Sequence, residues 1–141
     1  MEEVQREQDL AELATQCIAE LEFHTIDAWI ERYLAPGFVW DTEPMGLGVR
    51  CEGPAAFREF FDEWTGAYSD WFLETEEVRA LSDEVVVLGM RQGGRPHGSD
   101  QSVELRYAAV GVWRDGRCEA TINYLTFDEA LAAAREMLRR G

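Results

Sequence analysis

Lysine is absent from this chain: all 13 basic residues among the 141 are arginine, against 28 acidic residues and a formal net charge of −15. The absence excludes catalysis through a lysine Schiff base and a phosphate-binding loop built on lysine. The large negative charge disfavours binding to nucleic-acid backbones and to anionic membrane surfaces. We therefore expect neither nucleic acid nor a membrane as a partner.

Cysteine and histidine are scarce, which bears on disulfides, metals and cofactors. An odd number of widely spaced cysteines without a C-x-x-C pair argues against a disulfide framework: Cys17, Cys51 and Cys118. His24 and His97 each stand alone, so we expect no metal site. The segment Gly46-x-Gly48-x-x-Cys51 lacks the third glycine of a dinucleotide fingerprint, and we expect no cofactor.

Long hydrophobic runs are also missing. No stretch approaches the roughly 20 apolar residues of a membrane span. The opening residues, MEEVQREQDL, have neither the basic region nor the apolar region of a signal peptide. Apolar residues still make up 46% of the chain, enough for a core in one domain of this length. The sequence predicts a single cytoplasmic domain over residues 1–141.

Apolar periodicity predicts helices in the first half of the chain. A stripe at helical spacing marks a first helix, and a shorter stripe through Trp29 and Tyr33 marks a second that ends at Pro36-Gly37. Gly53-Pro54 opens a third helix with an aromatic stripe: Phe57, Phe60, Phe61 and Trp64. Thr126-x-x-Glu129 matches a capping box before a last helix.

Strand patterns occupy the rest. Residues 38–43 read as a short strand, and residues 44–52 as a loop with room for a brief strand. Four long strands are predicted at about 71–81, 84–92, 103–114 and 117–126, with a loop at 93–102. Helices followed by a strand meander predict an α+β fold with an antiparallel sheet.

Two stretches of sequence resemble a known family. IDAWIERYLAPGFVWDTEP…GPAAFREFFDEW and VELRYAAVGVWRDGRCEATINYLTFDEALAAA are similar to the SnoaL-like branch of the nuclear-transport-factor-2-like superfamily, which includes polyketide cyclases and ketosteroid isomerase. The resemblance covers about residues 8–138. It implies a cone-shaped half-barrel, a curved antiparallel sheet wrapped around three to four helices, which usually dimerises through the sheet.

The ketosteroid isomerase pattern gives two candidate catalytic residues. Glu43, in Thr42-Glu43-Pro44, matches the position of its proton-shuttling base, and Asp41 lies two residues earlier. Residues at i and i+2 of a strand share a face, so the resemblance implies two carboxylates directed at a cavity. The oxyanion-hole positions fall near Cys17 and Val110, which offer a weak donor and none, so steroid isomerisation is not expected.

The candidate ligand-binding residues come from the later strands and the aromatic stripes. Placing Val110 inward also places Arg106 inward, where a guanidinium would bind an anionic oxygen. Asn123, the only asparagine, and Thr121 lie on the matching face of the last strand. The expected aromatic lining is Trp29, Tyr33, Phe57 and Phe61, with Trp40 and Trp71 mainly core.

The opposite face of the sheet predicts a homodimer. Alternation groups its apolar residues as Val103, Leu105, Tyr107, Ala109 and Trp113 beside Cys118, Ala120, Ile122 and Tyr124. For function, the sequence leaves alternatives open. One is a pocket that binds a small hydrophobic metabolite, with or without acid–base isomerase or cyclase chemistry at Glu43 or Asp41. The other is a non-catalytic binding or dimerisation module with a vestigial pocket.

Overall fold

A computed structural model describes residues 1–22 and 25–141. His24, which the sequence places between the first two helices, lies outside the described residues. The helices are α1 (Glu2–Ala19), α2 (Ile26–Tyr33), α3 (Pro54–Gly66) and α4 (Phe127–Arg140). The strands are β1 (Leu34–Asp41), β2 (Arg50–Glu52), β3 (Tyr68–Ala80), β4 (Val85–Pro96), β5 (Val103–Arg114) and β6 (Arg117–Tyr124).

Local sequence signals explain where several elements begin. Thr25 and Thr126 cap α2 and α4, and their side-chain oxygens accept hydrogen bonds from the backbone amides of Ala28 (3.2 Å) and Glu129 (3.1 Å). Pro54 occupies the first turn of α3, where its missing N–H costs nothing. Asp115 and Gly116 both adopt positive φ, as the tight turn between β5 and β6 requires.

The six strands form one curved, open sheet in the order β2-β1-β6-β5-β4-β3. The predicted α+β class is confirmed. The sheet is mixed rather than purely antiparallel, because β1 runs parallel to β6 while every other neighbouring pair is antiparallel. A parallel pair needs a long connection, and here α3 and four strands lie between the two partners.

Helices cover both faces of the sheet. The first three helices contribute Leu10, Ala14, Cys17, Trp29, Tyr33, Phe57 and Phe61 to the large core on the inner face. On the outer face, Ala130, Leu131 and Ala134 of α4 pack against Ala108 and Val110 of β5. The sheet therefore wraps around three helices, within the three to four that the resemblance implied, and α4 lies on its outer face.

The boundaries of β1 and β4 differ most from the sequence prediction. β1 begins at Leu34, immediately after α2, so Pro36 and Gly37 lie inside the strand instead of in a turn. β4 continues to Pro96 and takes in four residues of the predicted loop. No helix in the described ranges is long and apolar enough to cross a membrane.

Candidate functional site

An interior cavity of about 50 Å³ lies between the inner helices and the sheet; we call it the inner cavity. Four of the five tryptophans contribute to its wall: Trp29, Trp40, Trp64 and Trp113. Phe57 and Phe61 of α3 complete one side, and Ala109 and Gly111 of β5 form the floor. Such a cavity favours an apolar ligand group such as a hydrocarbon ring.

The aromatic side chains of this wall form a continuous packed cluster. The stripe on α3 recurs at i, i+3, i+4 and i+7 and therefore faces the sheet as one ridge. The ring centroids of Trp40 and Phe57 are 5.1 Å apart, and those of Trp64 and Trp71 are 5.2 Å apart. Aromatic pairs at these separations attract each other beyond simple area burial, so the wall is held in a defined shape.

A second cavity of about 70 Å³ lies beside the first; we call it the outer cavity. Trp40, Trp64 and Tyr107 line both cavities and so form the partition between them. The exposed side chains Leu47 and Leu105 lie at the solvent side of the outer cavity.

The outer cavity, unlike the inner one, carries several polar side chains: Thr42, Gln92 and Asn123. Their bonds hold them in place. The Asn123 amide nitrogen donates to the backbone carbonyl of Asp41 (3.0 Å), and the Trp71 indole N–H donates to Gln92 Oε1 (3.0 Å). The Thr42 hydroxyl exchanges hydrogen bonds with the backbone of Val49 (both 2.9 Å). These side chains are therefore fixed before any ligand arrives.

Three polar atoms of residues that line the outer cavity are buried and have no hydrogen-bond partner in the described part of the chain: Trp40 Nε1, Tyr107 Oη and Asn123 Oδ1. Burial raises the pKa of the Tyr107 phenol, so its hydroxyl keeps its proton at neutral pH. Unpartnered buried polar atoms are costly and rare in folded proteins. Their residues line the outer cavity, which together with the adjoining inner cavity is the candidate binding site.

Cys17 and Cys118 also line the inner cavity. Burial raises the pKa of both thiols, that of Cys118 to about 11. Because the thiolate is the nucleophilic form, neither cysteine is suited to covalent catalysis at neutral pH. The three cysteines are free, and in the described residues no group of three potential metal ligands occurs.

The structure places the two candidate catalytic carboxylates away from both cavities. Phe38 and Trp40 point inward on β1, so Asp41 has the opposite direction, contrary to the orientation that the sequence suggested. Asp41 is 14% exposed, bonds Arg50 (3.3 Å) and accepts from the backbone N–H of Glu43 (2.9 Å). Glu43 itself is exposed in a short 3₁₀ turn. Their catalytic role stays a prediction that this geometry does not support.

The predicted inward face of β5 is wrong by one residue. Tyr107, Ala109, Gly111 and Trp113 line the inner cavity, whereas Val110 packs against α4. The physical reason is that both faces of this strand are covered, one by the aromatic core and the other by a helix. The apolar patch that the sequence predicted as a homodimer interface is therefore not a surface patch, because Tyr107 and Trp113, two of its largest side chains, are buried inside the molecule.

Arg106, expected to contact a ligand, lies on that other face. Its guanidinium pairs with Glu76 at 2.9 Å, and its side chain is 67% exposed. It belongs to the lining of neither cavity.

The remaining predicted ligand residues divide into two groups. Thr121, Trp29, Phe57 and Phe61 line the inner cavity, and Asn123 lines the outer one. Tyr33 is buried behind them, with its ring edge-on to Trp113 at 6.3 Å. Sequence reasoning missed Tyr107, which it assigned to the wrong face, and Gln92. The alternation of Leu88, Met90 and Gln92 on β4 would have identified Gln92 as inward-facing.

Comparison with known proteins identifies the family. The model of the SnoaL-like domain matches residues 14–120. No curated protein matches the sequence.

Solved structures of similar fold include several with little sequence identity. A candidate polyketide cyclase from Xanthomonas campestris pv. campestris has a TM-score of 0.69 at 22% identity and covers 90% of this chain and 97% of its own. TerC co-crystallised with polyporic acid has a TM-score of 0.66 at 17% identity, covering 89% and 96%. A hypothetical protein with a ketosteroid isomerase-like fold from Catenulispora acidiphila, in complex with trimethylamine, has a TM-score of 0.67 at 14% identity, covering 87% of this chain and 92% of its own. At such identities the likeness establishes the fold.

Proposed function

The chain belongs to the SnoaL-like domain family, and from that premise we propose that it binds one small, largely hydrophobic molecule inside its curved sheet. The observation that carries the proposal is the pair of adjoining cavities, one apolar and aromatic, the other edged with fixed polar groups. Enclosed space with mainly apolar and aromatic walls and a few polar side chains in its lining is typical of small-molecule sites. Two relatives of the same fold were crystallised with small molecules, polyporic acid and trimethylamine, which supports a ligand-binding role.

The cavity volumes set the size of the ligand. The inner cavity of about 50 Å³ is smaller than the roughly 150 Å³ engineered cavity that accepts benzene. Joined across the partition to the outer cavity of about 70 Å³, it offers room close to that of a single ring. We therefore assign a one-ring molecule to the site. Its binding requires small movements of the protein side chains that form the partition, Trp40, Trp64 and Tyr107.

Binding can be followed through the tryptophans themselves. The chain has five indole N–H groups, and their resonances in a ¹⁵N-correlated spectrum report separately on the cavity. Titration with benzene and cyclohexanol should shift the Trp40 and Trp64 signals saturably and raise the melting temperature, since a ligand that binds only the folded state stabilises it. A fused four-ring steroid should do neither. Equal shifts at all five signals, or none that saturate, would contradict the proposal.

A second candidate function is acid–base isomerase or cyclase chemistry in the same cavity. The similarity in fold to a candidate polyketide cyclase favours it. Its bases would be Glu43 or Asp41, which must rotate inward to act. The double variant Asp41→Asn, Glu43→Gln tests this role: any turnover of a cyclic ketone that survives the double change removes both residues from the mechanism.

We also propose that the protein forms a homodimer and resides in the cytoplasm. We place the homodimer contact at the start of β5, where Val103 and Leu105 are 43% and 41% exposed. Light scattering should then report about twice the 16.1 kDa of the chain, and Leu105→Glu should reduce it to the single mass. Three free cysteines fit the reducing cytoplasm.

A further inference from the structure

The segment that joins β1 to β2 has a firmly held base. The backbone N–H of Thr42 donates to the carbonyl of Val49 (2.8 Å), and the Thr42 hydroxyl exchanges hydrogen bonds with the backbone of Val49 (both 2.9 Å). Between them, Met45 is buried in the core, and the N–H of Gly46 donates to the Glu43 carbonyl (2.9 Å). These contacts fix the first half of the segment against the body of the protein.

The tip of the segment, residues 46–48, is held less firmly. Leu47 stands between two glycines whose φ angles are +86° (Gly46) and +68° (Gly48). Glycine adopts positive and negative φ almost equally well, so the backbone on each side of Leu47 can change direction at low cost. No atom of the described residues lies within 4 Å of the Cβ position at either glycine. The Leu47 N–H reaches the Thr42 carbonyl only at 3.3 Å, a long hydrogen bond.

The sheet is interrupted beside this tip. The pairing of β6 with β5 ends at Tyr124, opposite Ala108, so residues 103–107 of β5 have no neighbour on that side among the described strands. Because β1 runs parallel to β6, the segment that follows β1 continues past the end of β6. Leu47 of the tip and Leu105 of the unpaired part of β5 both line the outer cavity. The mouth of this cavity therefore lies in the gap between them.

Leu47 is largely exposed although it borders an apolar cavity. The residue is 60% exposed to water. An apolar ligand in the outer cavity would offer additional apolar atoms for the Leu47 side chain to cover, and burial of such surface is favourable. Inward movement of Leu47 is therefore favoured more strongly in a complex than in the free protein, which is the condition for ligand-induced closure.

We infer that residues 46–48 form a gate over the outer cavity, with Leu47 as the side chain that closes it. The tip turns about Gly46 and Gly48, while Met45 and the base of the segment stay in place. A small apolar ligand enters between Leu47 and Leu105, and Leu47 then folds over it. This inference rests on the proposed binding function and adds the step that retains the ligand.

The first test follows the exposure of leucine methyl groups in the unmodified chain. A neutral paramagnetic agent in solution broadens the NMR signals of methyl groups according to their exposure. Saturating benzene should reduce the broadening at Leu47 about fivefold, if the complex is closed about four-fifths of the time and only the open fraction stays exposed. The Leu125 methyl groups are the internal control, because Leu125 is 52% exposed and lines neither cavity.

The second test measures how fast benzene leaves, from the line shape of the Trp64 indole signal during a titration. Leu47→Ala removes most of the side chain that covers the ligand. Release should become about tenfold faster while entry changes little, because contacts made after entry act on the dissociation rate. Leu125→Ala is the matched control and should release benzene at the wild-type rate.

The outcomes distinguish the gate from the binding site. If benzene neither raises the melting temperature nor shifts the tryptophan signals saturably, the proposed function fails. If benzene binds but leaves the exposure of Leu47 unchanged, or lowers that of Leu125 equally, the gate is overturned and the binding function stands. Release from Leu47→Ala at the wild-type rate has the same meaning. So does a loss of Leu47 exposure with rising protein concentration and no benzene, because Leu47 would then contact a second copy of the chain.

Discussion

Replacing Ala109 with valine fills the floor of the inner cavity. Ala109 is fully buried on β5 and lines the cavity, and its cross-strand neighbour is Asn123. Two added methyl groups would project into the empty space rather than into packed atoms. Valine also suits a strand better than alanine does. We expect Ala109→Val to be more stable than the wild type and to bind one-ring ligands at least tenfold more weakly.

The cavity volume sets the size of the stability gain. Cavities destabilise by about 24 cal/mol per Å³, so filling the cavity of about 50 Å³ is worth at most about 1.2 kcal/mol. Burial of two carbons gives a similar figure, about 1.5 kcal/mol. For a chain of this length, 1 kcal/mol corresponds to a melting-temperature increase of about 3–5 °C.

The neighbouring residue supplies a control of the same chemistry. Ala108 is also fully buried, but it faces α4 and packs against Ala130 and Ala134, which are fully buried as well. Ala108→Val adds the same two methyl groups where no space exists, and overpacking typically costs about 1–3 kcal/mol. Urea unfolding of both variants, with unchanged m-values, measures the difference.

The outcomes separate two parts of the argument. If Ala108→Val is the stabilised variant and Ala109→Val the destabilised one, the faces of β5 are assigned the wrong way round. If Ala109→Val is more stable but binds ligands as the wild type does, the ligand does not use the inner cavity.

Three further outcomes follow from the contacts described above. Burial raises the pKa of the Cys118 thiol from 9.0 to about 11, so the unfolded chain loses this proton first and the free energy of unfolding should fall by about 2–3 kcal/mol between these pH values. In a series of urea titrations at different pH values, the free energy of unfolding of Cys118→Ala should decline less steeply with pH than that of the wild type. Arg106→Ala breaks only an exposed ion pair with Glu76, so it should cost less than about 1 kcal/mol and leave ligand affinity unchanged; a weaker affinity would restore Arg106 to the site. Thr126→Ala removes the cap of α4 and should lower stability by about 1 kcal/mol in thermal unfolding, with no change if the cap contributes nothing.

The inner helices could be read from the sequence because each has only one buried face. On α3 the aromatic residues recur at helical spacing, and Phe57 and Phe61 are indeed buried. The same spacing on α1 marks Leu10, Ala14 and Cys17, all buried. A helix with a single apolar stripe can bury only that face, so the helical spacing of the apolar residues predicts directly which side chains pack in the core.

The orientation of β5 could not be read in this way. Its central residues, from Tyr107 to Gly111, are buried on both sides, so apolar residues do not alternate with polar ones. A strand covered on both faces loses the period-two signal that distinguishes inside from outside. On β6 the signal survives, because Thr121 and Asn123 alternate with apolar neighbours, and their shared direction was predicted correctly. An error of one position in the alternation on β5 therefore placed Arg106 in the predicted site and left Tyr107 out of it.

The parallel pairing of β1 with β6 has a consequence for folding. Asn123 bonds the carbonyl of Asp41 from 82 positions away in the chain, a far longer closure than any hairpin in this sheet. Contacts between residues so distant in sequence form slowly, because the entropy of closing the intervening loop is lost before the contact is gained. Both cavities need walls from each side of this closure. Ligand binding should therefore appear only with the slowest phase of refolding, and a nascent chain that has not yet released β6 from the ribosome has no site at all.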